Sequence, residues 1–152
     1  MNNGRSDKKL GMAWIALTLA LALHVTDEAL TGFLAIYNPT VIAMRQRFTW
    51  FPMPVFEFWP WLTGLMALVC LLLLLSPLVL RGARWLRPFA YFFSAIMILN
   101  ALGHTVATVF GQTVGAVRFA RPAPGFYSSP VLFAAAVYLL IQLRRTSAKT
   151  IP

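Results

Sequence analysis

The sequence predicts an all-α, polytopic membrane protein folded as a bundle of four transmembrane helices. Composition is the first reason: 59% of the 152 residues are hydrophobic and only 11% charged, against about 25% charged in an ordinary soluble domain. A soluble chain of this size leaves much of its surface in water and could not hide so much apolar area. Distribution is the second: the apolar residues gather in four runs, at 10–36, 59–80, 88–111 and 126–143. Each approaches the roughly 20 residues needed to cross about 30 Å of hydrocarbon, the last being shortest. The third is that the Lys and Arg residues stand in short clusters between the runs.

In chain order, residues 1–9 form a basic tail with Arg5, Lys8 and Lys9, and the first run follows to Ile36. Asn38-Pro39 is expected to end it, because proline disfavours helical geometry in the preceding residue. Residues 40–58 form a connection between helices 1 and 2 that is rich in Phe, Trp, Pro and Met. That composition suits a lid or a segment at the membrane–water interface, where amphipathic rings collect. The second run starts with Pro60 in its first turn, which a helix tolerates. The 81–87 turn leads to the third run, and a loop over 112–125 with Arg118, Arg121, Pro122 and Pro124 leads to the fourth. Residues 144–152 close the chain as a second basic tail. The only cysteine, Cys70, lies inside the second run and excludes an intrachain disulfide.

The net charge of +9 does not form one extended basic face interleaved with stacking aromatics, so a nucleic-acid partner is not expected. With four spans, both tails and the 81–87 turn lie on one side and carry nine cations: Arg5, Lys8, Lys9, Arg81, Arg84, Arg87, Arg144, Arg145 and Lys149. The opposite side carries four, Arg45, Arg47, Arg118 and Arg121. The positive-inside rule places both termini in the cytoplasm. Lys8, Lys9 and Ala20-Leu21-Ala22 also have the look of a cleavable signal peptide. The apolar sequence resumes at Ala29 and runs on to Tyr37, which favours an uncleaved span.

One stretch breaks the apolar pattern. Leu23-His24-Val25-Thr26-Asp27-Glu28-Ala29-Leu30 puts an imidazole and two carboxylates inside the first run. A charged side chain at mid-bilayer costs roughly 2.5–3.5 kcal/mol on insertion scales, so partners, protons or a metal are required. At about 1.5 Å per residue, His24 and Glu28 lie about 21 and 27 Å above Leu10. Counted from Pro88, Asn100 and His104 lie about 18 and 24 Å up the third run. Both counts reach one level in the outer half of the bilayer. His24 and Glu28 share a helix face at four-residue spacing, as do Asn100 and His104, and Asp27 flanks His24 on the other side. Ala13, Ala16 and Ala20 in the first run, and Gly103, Ala107 and Gly111 in the third, are small-residue rows that allow close helix approach. Glu57, Arg118, Arg121, Tyr127 and Ser128 are expected at the mouth of the resulting pocket. Each polar pair taken alone could instead be a hydrogen-bonded tie between helices. Five polar residues at one depth favour a functional site.

His24-x-x-Asp27-Glu28 in the first run, Asn100-x-x-x-His104 in the third, and Pro124-Gly125 with Tyr127 before the last resemble the motifs of the HXXEE-domain proteins. The resemblance covers the chain from about Ala16 to Leu140. It implies a small integral protein of the bacterial inner membrane, with motifs that point to an enzymatic activity but no settled reaction. Two positions depart from the family pattern: Asp27 replaces the first Glu of the pair, and Tyr127 follows the Pro-Gly element rather than preceding it.

Two imidazoles with carboxylates form a donor set suited to Zn, Fe or Mn. On this expectation His24, Asp27 and His104 are metal ligands, Glu28 is the general base and Asn100 an orienting or oxyanion-stabilising donor. The reaction is then hydrolysis, or another acid–base step, on a lipid-like or membrane-buried substrate. A metal-free version leaves Glu28 to activate water, with His104 and Asn100 stabilising the oxyanion. Non-enzymatic alternatives are a b-type haem electron carrier with His24 and His104 as axial ligands, a small-solute carrier and an accessory membrane subunit.

Overall fold

The computed structural model describes residues 3–148, which form five α-helices and no strand beyond an isolated bridge between Gln112 and Arg118. The helices are α1 (Asn3–Leu30), α2 (Leu34–Arg47), α3 (Phe58–Leu80), α4 (Arg87–Phe110) and α5 (Ser129–Ala148), with one 3-10 turn at Arg84–Leu86. The expected basic tails are largely helical, as the first turns of α1 and the last of α5. Met1, Asn2 and residues 149–152, including Lys149, lie outside the described residues.

Three helical stretches are long and apolar enough to cross a membrane: Ser6–Leu30, Phe58–Leu80 and Arg84–Phe110. α1 is the inner one, with 56% of its apolar window buried against 22% and 28% for the other two. It packs along α3 on one side and α5 on the other, while α4 packs along α5 and meets α1 only sparsely. Leu10, Ala13, Trp14, Leu17, Leu21 and Val25 of α1 join Leu72 of α3 and Leu132, Ala136, Leu139 and Leu143 of α5 in the core. The Trp14 indole donates to the Leu72 carbonyl at 2.9 Å, satisfying a polar group that the core would otherwise strand. Of the small residues of α1, Ala13 and Ala20 are buried in the bundle and Ala16 is exposed. The closest helix approach is at Gly11 instead, where an added Cβ would stand 2.9 Å from the Cα of Leu80.

The first helix ends at Leu30, short of the expected Ile36. Gly32 has a φ of 78° and the Phe33 amide donates back to the Glu28 carbonyl at 3.0 Å. A left-handed glycine with a six-to-one bond is a Schellman stop, and it ends the helix before Asn38-Pro39 is reached. Pro39 then lies inside α2. Asn38 pins α2 to the segment before α3, donating to the Phe56 carbonyl at 2.8 Å and accepting from the Phe56 amide at 3.0 Å. The aromatic connection is therefore half helix and half extended chain. Tyr37 donates to the Pro54 carbonyl at 3.0 Å; burial pushes its phenol above the ordinary value, with Arg45 opposing.

α4 ends on Gly111, in the left-handed region at φ 66°. Gly103 and Ala107 seat no helix: a Cβ at Gly103 would meet nothing within 4 Å, and both residues line an open groove. The loop after α4 folds back over the end of α1. The Ala123 amide donates to Thr108 Oγ1 at 3.0 Å and the Gly125 amide to Thr31 Oγ1 at 3.2 Å.

Candidate functional site

His24, Glu28 and His104 meet where α1 faces α4. Glu28 Oε1 lies 3.1 Å from His104 Nε2 and 3.5 Å from His24 Nε2, and the two imidazole centroids are 4.8 Å apart with the rings nearly perpendicular. All three residues are buried: His24 is fully inaccessible, Glu28 is 4% exposed and His104 8%. Four-residue spacing on α1 aims His24 and Glu28 from one face, and α4 delivers His104 from across the gap.

Asp27 does not join them. One residue from Glu28 is about 100° round the helix, which turns its carboxylate to the start of α5. There Asp27 Oδ2 accepts from the Ser128 amide at 2.9 Å and from Ser128 Oγ at 2.8 Å. That amide is among the donors a helix start leaves free, and the positive end of the helix dipole favours a carboxylate. The expected division of the carboxylates is therefore exchanged in space: Glu28, not Asp27, stands between the imidazoles.

Ser128 links the two acidic residues' environments. Its Oγ lies 2.8 Å from His24 Nδ1, 2.8 Å from Asp27 Oδ2 and 3.2 Å from the Gly125 carbonyl. A hydroxyl has one proton to donate, and of its neighbours the carboxylate is the strongest acceptor. The Ser128 proton is therefore assigned to Asp27, which leaves His24 Nδ1–H to donate to Ser128. His24 Nε2 is buried and makes no hydrogen bond of good geometry among the described residues. It faces Glu28 Oε1 at 3.5 Å, a buried contact that a proton on the ring or a cation between the two atoms would satisfy.

Gly125 covers this cluster. Its φ is 78°, and an added Cβ would come within 2.9 Å of Glu28 Cγ and 3.0 Å of Cε1 of each histidine. Only glycine can hold that turn so close to three side chains. Sequence reasoning placed Gly125 in a Pro-Gly turn and Ser128 at the mouth. The structure puts both against the site, and the proximity of a Pro-Gly pair to the next helix was the only local signal.

Two cavities flank the cluster, with Phe33 in the wall of both. One, about 330 Å³, runs between α2, α4 and the 112–124 loop and reaches Asn100 and His104. The other, about 430 Å³, lies beside α2 and the start of α3 and reaches Glu28. Asn100 is half-buried one turn before His104, and no described residue pairs with its amide. The expected mouth residues stand apart from these openings. Glu57, Arg118, Arg121 and Tyr127 are all exposed and contribute to neither cavity wall.

His24, Glu28 and His104 each offer one atom that could serve as a metal ligand. Ligand atoms at about 2.0–2.1 Å round a tetrahedral ion stand about 3.3 Å apart. The two separations to Glu28 Oε1, 3.1 and 3.5 Å, bracket that value, while the three ligand atoms together span up to 4.8 Å, so the imidazoles would have to draw closer to share one ion. Two imidazoles and one carboxylate match catalytic zinc sites and non-haem iron sites that keep an open position. A porphyrin is a poorer fit, since its plane must pass between the axial rings and Gly125 packs directly on both. No family model, curated protein or solved structure matches the chain.

Proposed function

We propose that the chain is a membrane-embedded enzyme whose centre is His24, Glu28 and His104, holding one divalent first-row ion (Zn, Fe or Mn). The chemistry is hydrolysis, or a related acid–base step, on a membrane-buried, lipid-like substrate. In this reading α1, α3, α4 and α5 are the four spans of a bacterial inner-membrane protein of the HXXEE-domain type, with both termini cytoplasmic and the aromatic connection at the outer interface. The observation that supports it is the buried convergence of His104 Nε2 and His24 Nε2 on Glu28 Oε1, at 3.1 and 3.5 Å.

An ion held there would polarise an acyl carbonyl and acidify water. The protein's own residues do the rest. His24 and His104 present Nε2 atoms, and Asp27 acts through Ser128 to hold the His24 tautomer, as outer-shell partners of ligating histidines do. Glu28 supplies the carboxylate and lines the 430 Å³ cavity. Asn100 offers a free amide donor on the groove side, suited to a developing oxyanion.

Titration of the detergent-purified, chelator-treated full chain with Zn²⁺ tests this. The expected result is one tight site, lost in His24→Ala, Glu28→Gln and His104→Ala and weakened in Asp27→Asn. If wild type and these variants bind zinc alike, the site is a hydrogen-bonded tie between α1 and α4 and the enzymatic reading fails with it.

A further inference from the structure

We infer that the groove between α2 and α4 is the binding site for one acyl chain of a membrane lipid, received sideways from the bilayer with its ester carbonyl at His104. The inference rests on the reading of His24, Glu28 and His104 as a reactive centre for its orientation, though chain binding itself needs no metal.

The groove is built into a helix that otherwise faces lipid. Leu99 and Val106 of α4 are 65% and 52% exposed and also form its wall, so the cavity is continuous with the surface that hydrocarbon would cover. Its size, about 330 Å³, is at the low end of ligand sites and suits one chain better than a bulky ring system. Leu99, Gly103, Val106 and Ala107 make the α4 wall mostly apolar, interrupted by Asn100 and His104, and Thr40, Gln112 and Thr113 add polar groups toward the loop. Thr40 and Thr113 close that end with a hydroxyl pair at 2.8 Å. An amphiphile therefore has a direction in it: chain along α4, polar group toward the loop, and the linkage between them level with His104. Asn100, one helical turn away on the same face, has its amide free to donate to a carbonyl oxygen.

Gly103 explains why the groove exists. It stands between Asn100 and Ala107, its backbone is ordinary helix, and an added Cβ would meet no atom within 4 Å. A small-residue row on a transmembrane helix normally seats another helix. Here no helix takes the place, and the space is left for a guest of hydrocarbon width.

The test uses the full chain reconstituted in phosphatidylcholine vesicles containing a trace of phosphatidylcholine with a photoactivatable diazirine on one acyl chain. Illumination is expected to label Phe33 and α4 between Leu99 and Ala107 above the lipid-facing background at Leu74 and Phe92. Gly103→Leu should reduce the groove labelling at least tenfold while leaving the background and zinc binding as in wild type. Ala107→Leu fills the same groove from the next turn and serves if the first variant does not fold. Labelling that is uniform, or unchanged in both variants, overturns the proposal, as does equal labelling by a diazirine alkane lacking any ester. Zinc binding measured on the same samples separates the two claims. Gly103-sensitive labelling without a zinc site leaves the groove standing and removes the centre, whereas a zinc site without such labelling does the reverse.

Discussion

At the residue scale, the site turns on how Asp27, Ser128 and His24 share protons. Ser128 Oγ sits 2.8 Å from both His24 Nδ1 and Asp27 Oδ2, so it orients the ring with Nε2 toward Glu28. Ser128→Ala should therefore weaken zinc binding by about 10–100-fold, the usual cost of losing such a partner, while the protein stays folded. Ser128→Thr, which keeps the hydroxyl, should recover most of it. Equal zinc affinity in Ser128→Ala and wild type would remove Asp27 and Ser128 from the account. Much of this cluster could be read from the sequence: the four-residue spacings picked out His24 with Glu28 and Asn100 with His104. Which carboxylate faces the second histidine could not. Spacings of three and four both flank His24, and only the position of α4 and the start of α5 decides between Asp27 and Glu28. Gly125 and Ser128 were harder still, because their contacts cross from the loop to α1 and leave no periodic trace.

At the scale of elements, α1 is held by close packing and stopped by a glycine. Gly11 lets α1 lie against the end of α3, where an added Cβ would be 2.4 Å from Leu80 Cδ2 and 2.9 Å from its Cα. Leu80 can move its side chain but not its backbone. Gly11→Ala is therefore expected to destabilise the protein by about 1–3 kcal/mol, seen as a lower midpoint of thermal unfolding in detergent. An unchanged midpoint would mean that α1 and α3 are not in this contact. The apolar runs announced α3 and α4 because long hydrophobic stretches dominate helix formation in lipid. The end of α1 was misjudged because a positive-φ glycine is invisible to hydropathy: Thr31-Gly32 interrupts no apolar run, yet it turns the backbone. α2 was missed for a related reason, since Pro39 argues against a helix that Asn38 and its two bonds to Phe56 support.

At the scale of the molecule, three helices are long and apolar enough to cross a membrane. α5 carries Gln142, Arg144 and Arg145 in its last two turns but buries Leu132, Ala136, Leu139 and Leu143 completely. It is bound into the bundle by packing rather than by its own hydropathy, and the proposed topology takes it as a fourth span. In a Cys70→Ser background, Val114→Cys should react with a membrane-impermeant maleimide on intact cells. Trp85→Cys should react only after the membrane is opened; both positions are well exposed, at 80% and 68%. The opposite pattern would invert the orientation, and labelling of both would break the four-span count. The centre itself is tested most directly by X-ray absorption at the metal edge, on protein purified from its own membrane without added metal. The account predicts about one first-row ion per chain with a nitrogen and oxygen shell near 2.0–2.1 Å and the scattering signature of two imidazoles. Protein that carries no such ion, or an ion whose shell contains no imidazole, would contradict it.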